Sequence, residues 1–198
     1  MKAKLKDLAE TIFIGMSLSG RSPAGTGRQT VRVVNIKDLA IGRMEGDNLN
    51  TVNIEALYKV DRYRLYEGDI LMTARGTVFR SALVGSGFGH CIISSGVLAI
   101  RLSKKSPLSS AALYAFLESP EGIRAIQAVT RSATSQLTLT PSDIGEIIVP
   151  VPSLEVQEKI AILKDLSNRH YRATLQAAEM RRAITDEIIN EMFGNANN

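Results

Sequence analysis

Residues 147–160 read IIVPVPSLEVQEKI, and the change of composition inside this segment decides how the chain is divided. Pro150 and Pro152 favour an extended backbone and prevent a helix from running through them. From Ser153 onward the sequence contains no proline, and its only glycine is Gly194. We therefore predict a boundary after residue 152, with one domain over 1–152 and a helical region over 153–198.

The helical region carries signals for its start, its end and its surroundings. Ser153 can accept a hydrogen bond from the first turn, Glu155 is favoured there by the helix dipole, and Gly194 is a typical stop. Forty helical residues extend on the order of 60 Å, more than the expected width of the preceding domain. This length favours a partner helix, although one amphipathic helix lying across its own domain stays an alternative.

An apolar stripe follows this helix at spacings of three or four residues, which is typical of paired helices. We call this stripe the seam. It consists of Leu163, Leu166, His170, Ala173, Ala177, Met180, Ile184 and Ile188. The pattern predicts pairing in a coiled coil, either with a second copy of this chain or with another protein.

The first 152 residues alternate strand-like and helical patterns without a regular repeat. We expect helices over 4–10, 108–117 and 120–129. Strands are expected over 30–36, 69–73, 78–84, 91–94, 96–102 and 147–151. The predicted fold is an α+β domain with a mixed, mostly antiparallel sheet, followed by the long helix.

The composition excludes several classes of protein. With 198 residues, 44% of them apolar, the chain suits a globular domain with an appended element. A single cysteine excludes a disulfide framework, and two distant histidines leave little for a metal centre, so we expect no metal. No apolar run approaches the roughly 20 residues of a membrane span, and the N-terminus does not resemble a signal peptide. We expect a cytoplasmic protein that does not contact a membrane.

The net charge of +4 is unevenly distributed along the chain. Residues 1–152 contain 18 basic and 13 acidic side chains, whereas residues 153–198 contain 6 and 7. The domain therefore carries +5 and the helix −1. A basic excess on one part of the chain is compatible with nucleic-acid binding there.

Three polar segments stand out in the domain: the first over 17–29, the second over 67–77 and the third over 130–140. Arginine and glutamine make paired hydrogen bonds to bases, and hydroxyl groups often contact phosphates. We expect DNA contacts in or near these segments from Arg21, Arg28, Gln29, Arg75, Thr77, Arg80, Arg131, Ser135 and Gln136. The alternative is that all three are ordinary surface loops.

Different roles are expected within this set. Arg28 and Gln29 are candidate base readers. Arg75, Thr77 and Arg80 are candidates for mixed phosphate and base contacts. The third polar segment is expected to supply a further reading or clamping loop.

No catalytic motif occurs in the sequence, so we expect no catalytic residue and no bound cofactor. Cys91 lies in an apolar stretch and is interpreted as a buried, unreactive thiol. The densest acidic group is Asp61, Glu67 and Asp69, which keeps open the alternative of a small nucleic-acid-processing enzyme.

Three stretches together resemble one protein family. The three stretches are GDILMTARGT over 68–77, SSGV over 94–97, and IIVPVP followed by SLEVQEKI over 147–160. They are similar to the specificity subunits of type I restriction-modification enzymes. KLKDL over 4–8 and VNIKDL over 34–39 follow the family layout more loosely. The resemblance covers nearly the whole chain.

This resemblance implies a DNA-reading subunit without chemistry of its own. In the family, each recognition domain reads half of a split double-stranded DNA target, and the conserved helices set the separation and dock an adenine methyltransferase. S-adenosylmethionine and ATP are expected only in partner subunits, ATP in a restriction subunit where one exists.

A full-length family member has two recognition domains and two helical regions, whereas this chain has one of each. If the chain is complete as encoded, the resemblance implies a homodimer with antiparallel helices reading an interrupted palindrome. The alternative from another class is a protein-interaction adaptor that uses the helix without binding DNA.

Overall fold

The protein is described from a computed structural model of the 198-residue chain. The structure describes residues 1–18, 29–40, 43–44, 49–54, 60–76, 79–88, 90–130 and 137–195. The chain forms two compact units, Met1–Ala161 and Ile162–Asn198.

Short strands and helices make up most of the first unit. Within the described residues the strands are β1 (Lys2–Lys4), β2 (Ala9–Ile14), β3 (Gln29–Val34), β4 (Leu39–Ala40), β5 (Arg43–Met44), β6 (Asn50–Ile54), β7 (Ile70–Thr73), β8 (Arg75–Gly76), β9 (Ser81–Leu83), β10 (Cys91–Ile93), β11 (Val97–Leu102), β12 (Leu137–Thr138) and β13 (Ile148–Pro150). The helices there are α1 (Leu5–Leu8), α2 (Ser110–Leu117), α3 (Pro120–Val129) and α4 (Pro141–Gly145), with 3-10 turns at Ile36–Asp38 and Asp61–Tyr63. The helix α5 (Leu154–Asn195) begins in the first unit and continues through the second.

A four-stranded antiparallel sheet, in the order β2-β11-β7-β9, forms the centre of the first unit. Ile70, Met72, Leu98 and Ile100 belong to one core cluster, which also contains buried residues of α2 and α3. The intervening residues of β7 and β11 belong to a second cluster. Because side chains alternate along a strand, both faces of these two strands are buried.

A second sheet has the order β10-β3-β6, in which β3 pairs with β10 in parallel and with β6 in antiparallel orientation. The other named strand pairs of the described residues are antiparallel. The predicted α+β fold with mixed, mostly antiparallel pairing is therefore confirmed, with the strands distributed over several ladders. The strand β6 was not predicted, because its polar sequence NTVNI lacks a clear strand pattern.

The boundaries of two helices differ from the predicted ones. The helix expected over 4–10 ends at Leu8, because Ala9 and Glu10 begin β2, whose hydrogen bonds to β11 outweigh the helical pattern. The helix expected from residue 108 begins at Ser110, because the side chain of Ser109 accepts from the Ala112 amide and caps it.

The long helix α5 begins directly after Ser153, as predicted, and has 42 residues. At 1.5 Å per residue this corresponds to about 63 Å. The helix continues through Gly194 and is described to Asn195, so the predicted stop at Gly194 is wrong. Glycine lowers helix stability without forbidding a helical conformation.

The chain start is bound to the strand that precedes α5. β1 pairs with β13, and the Val151 amide donates to the Met1 carbonyl at 2.8 Å. Beside this ladder the ammonium groups of Lys4 and Lys6 lie 2.7 and 2.6 Å from the Glu146 carboxylate. Their hydrogen bonds and charges lower the pKa of Glu146 to about 2.

We expect the Glu146 carboxyl to titrate with a midpoint of about 2 in the native protein, measured by NMR. Because the folded-state pKa is lowered, the stabilising contribution is present above the unfolded pKa near 4.5 and disappears as pH falls towards 2. Changing both Lys4→Met and Lys6→Met should raise the midpoint towards 4.5. Lys2→Met serves as the control and should leave it unchanged; a normal midpoint in the unmodified protein would contradict the proposed contacts.

Candidate nucleic-acid interface

The second and third polar segments lie side by side. β8 pairs with β12, which places Gly76 opposite Leu137 and Arg75 opposite Thr138. The Leu139 amide also donates to the Ala74 carbonyl at 2.9 Å. Two segments separated by about 60 residues of sequence are therefore joined through their backbones.

The first polar segment leaves the sheet next to the same place. The Ser95 amide donates to the Met16 carbonyl at 2.9 Å, and the Ala74 amide donates to the Gly96 carbonyl at 2.8 Å. The backbone hydrogen bonds thus connect Met16, Ser95, Gly96, Ala74 and Leu139. We call these five residues the loop edge, because each polar segment begins or ends at it.

Two glycines allow the backbone to follow this course. A Cβ atom on Gly15 would lie 2.2 Å from the Ile93 carbonyl oxygen, so only glycine permits this close approach of β2 to β10. Gly76 has a φ of 146°, a backbone conformation that residues other than glycine rarely adopt. Substitutions at either residue would displace the backbone that leads to the loop edge.

Arg75 and Arg80 lie at the end of β7 beside the loop edge, and both are exposed. The Thr73 amide donates to the Arg80 carbonyl at 3.0 Å, and the Arg80 amide donates to the Thr73 hydroxyl oxygen at 3.1 Å. The structure therefore places Arg75 of the second polar segment and Arg80, which follows that segment, on the same hairpin. Their guanidinium groups offer planar sets of donors that suit phosphates and base edges.

Gln29 lies elsewhere. It is the first residue of β3, paired with Ile54, whereas the far end of β3 at Val34 accepts from the Ser94 amide next to the loop edge. Five residues of strand correspond to roughly 17 Å. Gln29 thus lies at the opposite end of β3 from the residue that contacts Ser94. Six other predicted contacts lie outside the described residues: Arg21, Arg28, Thr77, Arg131, Ser135 and Gln136.

An ion pair that the sequence analysis missed fixes the two central strands at their other end. Arg101 donates from Nε and Nη2 to the Asp69 carboxylate at 2.8 and 2.7 Å. Its Nη2 also donates to the Arg64 carbonyl at 2.9 Å, and its guanidinium lies 4.3 Å from the centre of the Tyr66 ring. These bonds raise the pKa of Arg101 and commit this arginine to structure.

The contacts of the acidic group explain why it does not resemble a metal site. Asp69 is 1% exposed and bound to Arg101, and Asp61 lies 2.8 Å from Arg64. Within the part of the chain that the structure describes, no cluster of three metal-ligating side chains occurs.

Cys91 is buried, as predicted, and burial raises the pKa of its thiol, which disfavours the nucleophilic thiolate.

The predicted seam is exposed along α5. Its large residues have exposed fractions between 51% and 67%, and His170, Ala173 and Ala177 are exposed as well. The seam is therefore an exposed, mostly apolar stripe on α5 that His170 interrupts.

A second exposed apolar stripe on α5 was not predicted. It contains Tyr171, Leu175, Ile189 and Phe193, with exposed fractions from 43% to 71%. At 100° per residue, Ile184 of the seam and Ile189 of this stripe point about 140° apart. The spacing of Tyr171 and Leu175 could have revealed the stripe from the sequence.

With this geometry established, comparison with known proteins identifies the family. A family model described as the type I restriction modification DNA specificity domain matches residues 2–178. The chain belongs to this family. Comparison with curated protein sequences finds no significant match.

Solved structures have the same fold as this specificity domain. The HsdS subunit from Thermoanaerobacter tengcongensis matches with a TM-score of 0.62 and 18% identity, over 92% of this chain and 46% of that chain. The type I restriction-modification S subunit from M. genitalium matches with a TM-score of 0.57 and 17% identity, over 94% and 44%. This specificity domain therefore spans less than half the length of the structures it matches.

Among the described helices, none is both long and apolar enough to cross a membrane.

We expect Asp69→Asn to lower the free energy of unfolding by about 3 kcal/mol, because it leaves the Arg101 guanidinium without its charged partner. The matched control is Asp61→Asn, at a carboxylate 53% exposed, which should cost less than about 1 kcal/mol. Urea unfolding measures both. Equal, small losses would contradict the structural role of the Asp69–Arg101 pair.

Proposed function

We propose that this chain is the DNA-reading, non-catalytic subunit of a type I-like restriction-modification system. The observation that carries the proposal is the loop edge, where three polar segments from distant parts of the sequence meet in a member of a DNA specificity family. A rigid sheet that presents loops at one place suits the reading of a short DNA sequence. The basic excess of residues 1–152 is compatible with binding of a polyanion by this part of the chain.

The predicted contact residues have distinct roles in this proposal. Arg75 and Arg80 contact phosphates and base edges from the loop edge. The predicted residues of the first and third polar segments provide the remaining contacts, with Arg28 and Gln29 as base readers.

The second part of the proposal concerns α5 and the oligomeric state. Two copies pair through the seam in an antiparallel coiled coil, so that the dimer carries two recognition domains and reads an interrupted palindrome. The exposure of the seam and its heptad-like spacing support this pairing. Pairing of two copies brings two recognition regions and two long helices together.

The third part concerns the methyltransferase. The second exposed stripe of α5 offers a separate apolar surface for an adenine methyltransferase subunit. That partner supplies S-adenosylmethionine and the catalytic residues, and a restriction subunit, where present, supplies ATP hydrolysis. We place the assembly in the cytoplasm, where it reaches DNA.

We expect Arg75→Ala to weaken DNA binding by the complex reconstituted with its methyltransferase. If Arg75 reads a base, discrimination at one base pair should fall by about 1–3 kcal/mol, whereas a phosphate contact would weaken all sequences equally. The matched control is Arg124→Ala, at an exposed arginine of α3. Unchanged binding for both variants would contradict the placement of the interface.

The salt dependence of binding separates this proposal from the adaptor alternative. A DNA-reading complex should lose affinity linearly with the logarithm of salt concentration, because phosphate contacts release counterions. Absence of salt-dependent DNA binding, with a stable protein complex through α5, would favour the adaptor.

Two substitutions of the same type test the two stripes of α5. Ile184→Asp in the seam should convert the dimer into a monomer, measured by sedimentation at micromolar concentration. Ile189→Asp in the second stripe should preserve the dimer and weaken methyltransferase binding. A monomeric unmodified chain, or a dimer that survives Ile184→Asp, would contradict pairing through the seam.

A further inference from the structure

Gln157 is a buried polar residue at the beginning of α5, in the first compact unit. It is 2% exposed. Its side-chain oxygen accepts from the Ser109 amide at 2.8 Å, and its side-chain nitrogen donates to the carbonyls of Pro107 at 2.8 Å and Pro152 at 3.0 Å. The amide group thereby uses both of its hydrogens and its oxygen.

These three bonds join parts of the chain with different tasks. Pro107 and Ser109 lie in the segment that enters α2, where the Ser109 side chain accepts from the Ala112 amide. Pro152 is the last proline before α5. The side chain of Gln157 therefore ties the first turn of α5 both to the segment before α2 and to the end of the extended boundary segment.

The geometry requires a glutamine. Glutamate could accept from the Ser109 amide but could not donate to the two carbonyls while ionised, and methionine has a similar length but no strong donor or acceptor. Asparagine is one methylene shorter. In each case the carbonyls of Pro107 and Pro152 lose a donor that comes from a buried side chain, and a buried residue that loses its polar partners is costly.

We infer that Gln157 is a positioning residue that fixes the beginning of α5 on the recognition domain and thereby makes a dimer selective for one spacer length between its half-sites. This inference rests on the proposed function. If the helices set the separation of two recognition domains, a helix that begins at a fixed point on each domain is required for that separation to be constant. Gln157 affects the spacer, and the residues at the loop edge affect the bases.

The test uses the complete chain reconstituted with its methyltransferase. The substrates are DNA duplexes with the wild-type half-sites, identified by methylation mapping, and spacers that are correct, shorter or longer by one and two base pairs. For the unmodified protein we expect strong preference for one spacer. In Gln157→Met and Gln157→Glu this preference should fall by about tenfold, because the buried hydrogen bonds are lost.

Discrimination against a single base change within a half-site should stay at the wild-type level in both variants. Gln176→Met is the matched control, since Gln176 is an exposed residue of α5 outside both apolar stripes, and it should retain the full spacer preference. Circular dichroism and urea unfolding establish that the variants are folded. Glutamate preserves the acceptor for Ser109 but places a carboxylate oxygen beside two carbonyl oxygens, whereas methionine removes the donor and the acceptor without adding a charge.

Several outcomes would overturn the inference. One is wild-type spacer preference in a folded Gln157→Met variant, and another is loss of base discrimination together with spacer preference. A third needs no variant: an unmodified complex that methylates several spacer lengths equally would contradict a fixed beginning of α5. An unmodified complex that methylates no bipartite target would instead contradict the proposed function itself.

Discussion

The backbone hydrogen bonds of Ala74 hold the loop edge together. Its amide donates to Gly96 and its carbonyl accepts from Leu139, so one buried residue joins the hairpin of the second polar segment to the turn before β11 and to the end of the third polar segment. Because backbone groups make these bonds, the side chains of the adjoining loops can differ without loss of the framework. A protein that reads sequence needs this separation between a constant support and variable contacts.

The charge distribution is consistent with two surfaces that serve different partners. The recognition domain carries +5, and the helical region, with −1, presents apolar stripes. A charge of +5 is modest for binding a polyanion. In the proposed dimer this charge is doubled at a single target, and the methyltransferase contributes the remaining phosphate contacts.

The sequence predicted those parts of the fold whose signals are local. The prolines at 150 and 152 indicated where α5 begins, and proline at the first turn of α3 gave that helix its observed bounds. Strands that depend on pairing with distant segments were not predicted. Residues 9 and 10 of β2 continue a helical pattern but pair with β11. The polar sequence of β6 forms a strand because it pairs with β3.

The candidate site was predictable in composition but not in arrangement. The exposed Arg75 and Arg80 were identified from their residue type and turn context, whereas the position of Gln29 at the far end of β3 depends on how that strand pairs. Arg101 and Gln157 were missed because their roles consist of contacts with residues far away in sequence. The pattern of residues within a single segment does not reveal either contact.

Methylation mapping of DNA from a host that carries this chain and its methyltransferase tests the central claim most directly. The account predicts adenine methylation at an interrupted palindrome, with two identical half-sites in inverted orientation and a constant spacer. When the chain is deleted from the host, this methylation should disappear. Methylation that is unchanged without the chain, or confined to one uninterrupted asymmetric sequence, would contradict the account.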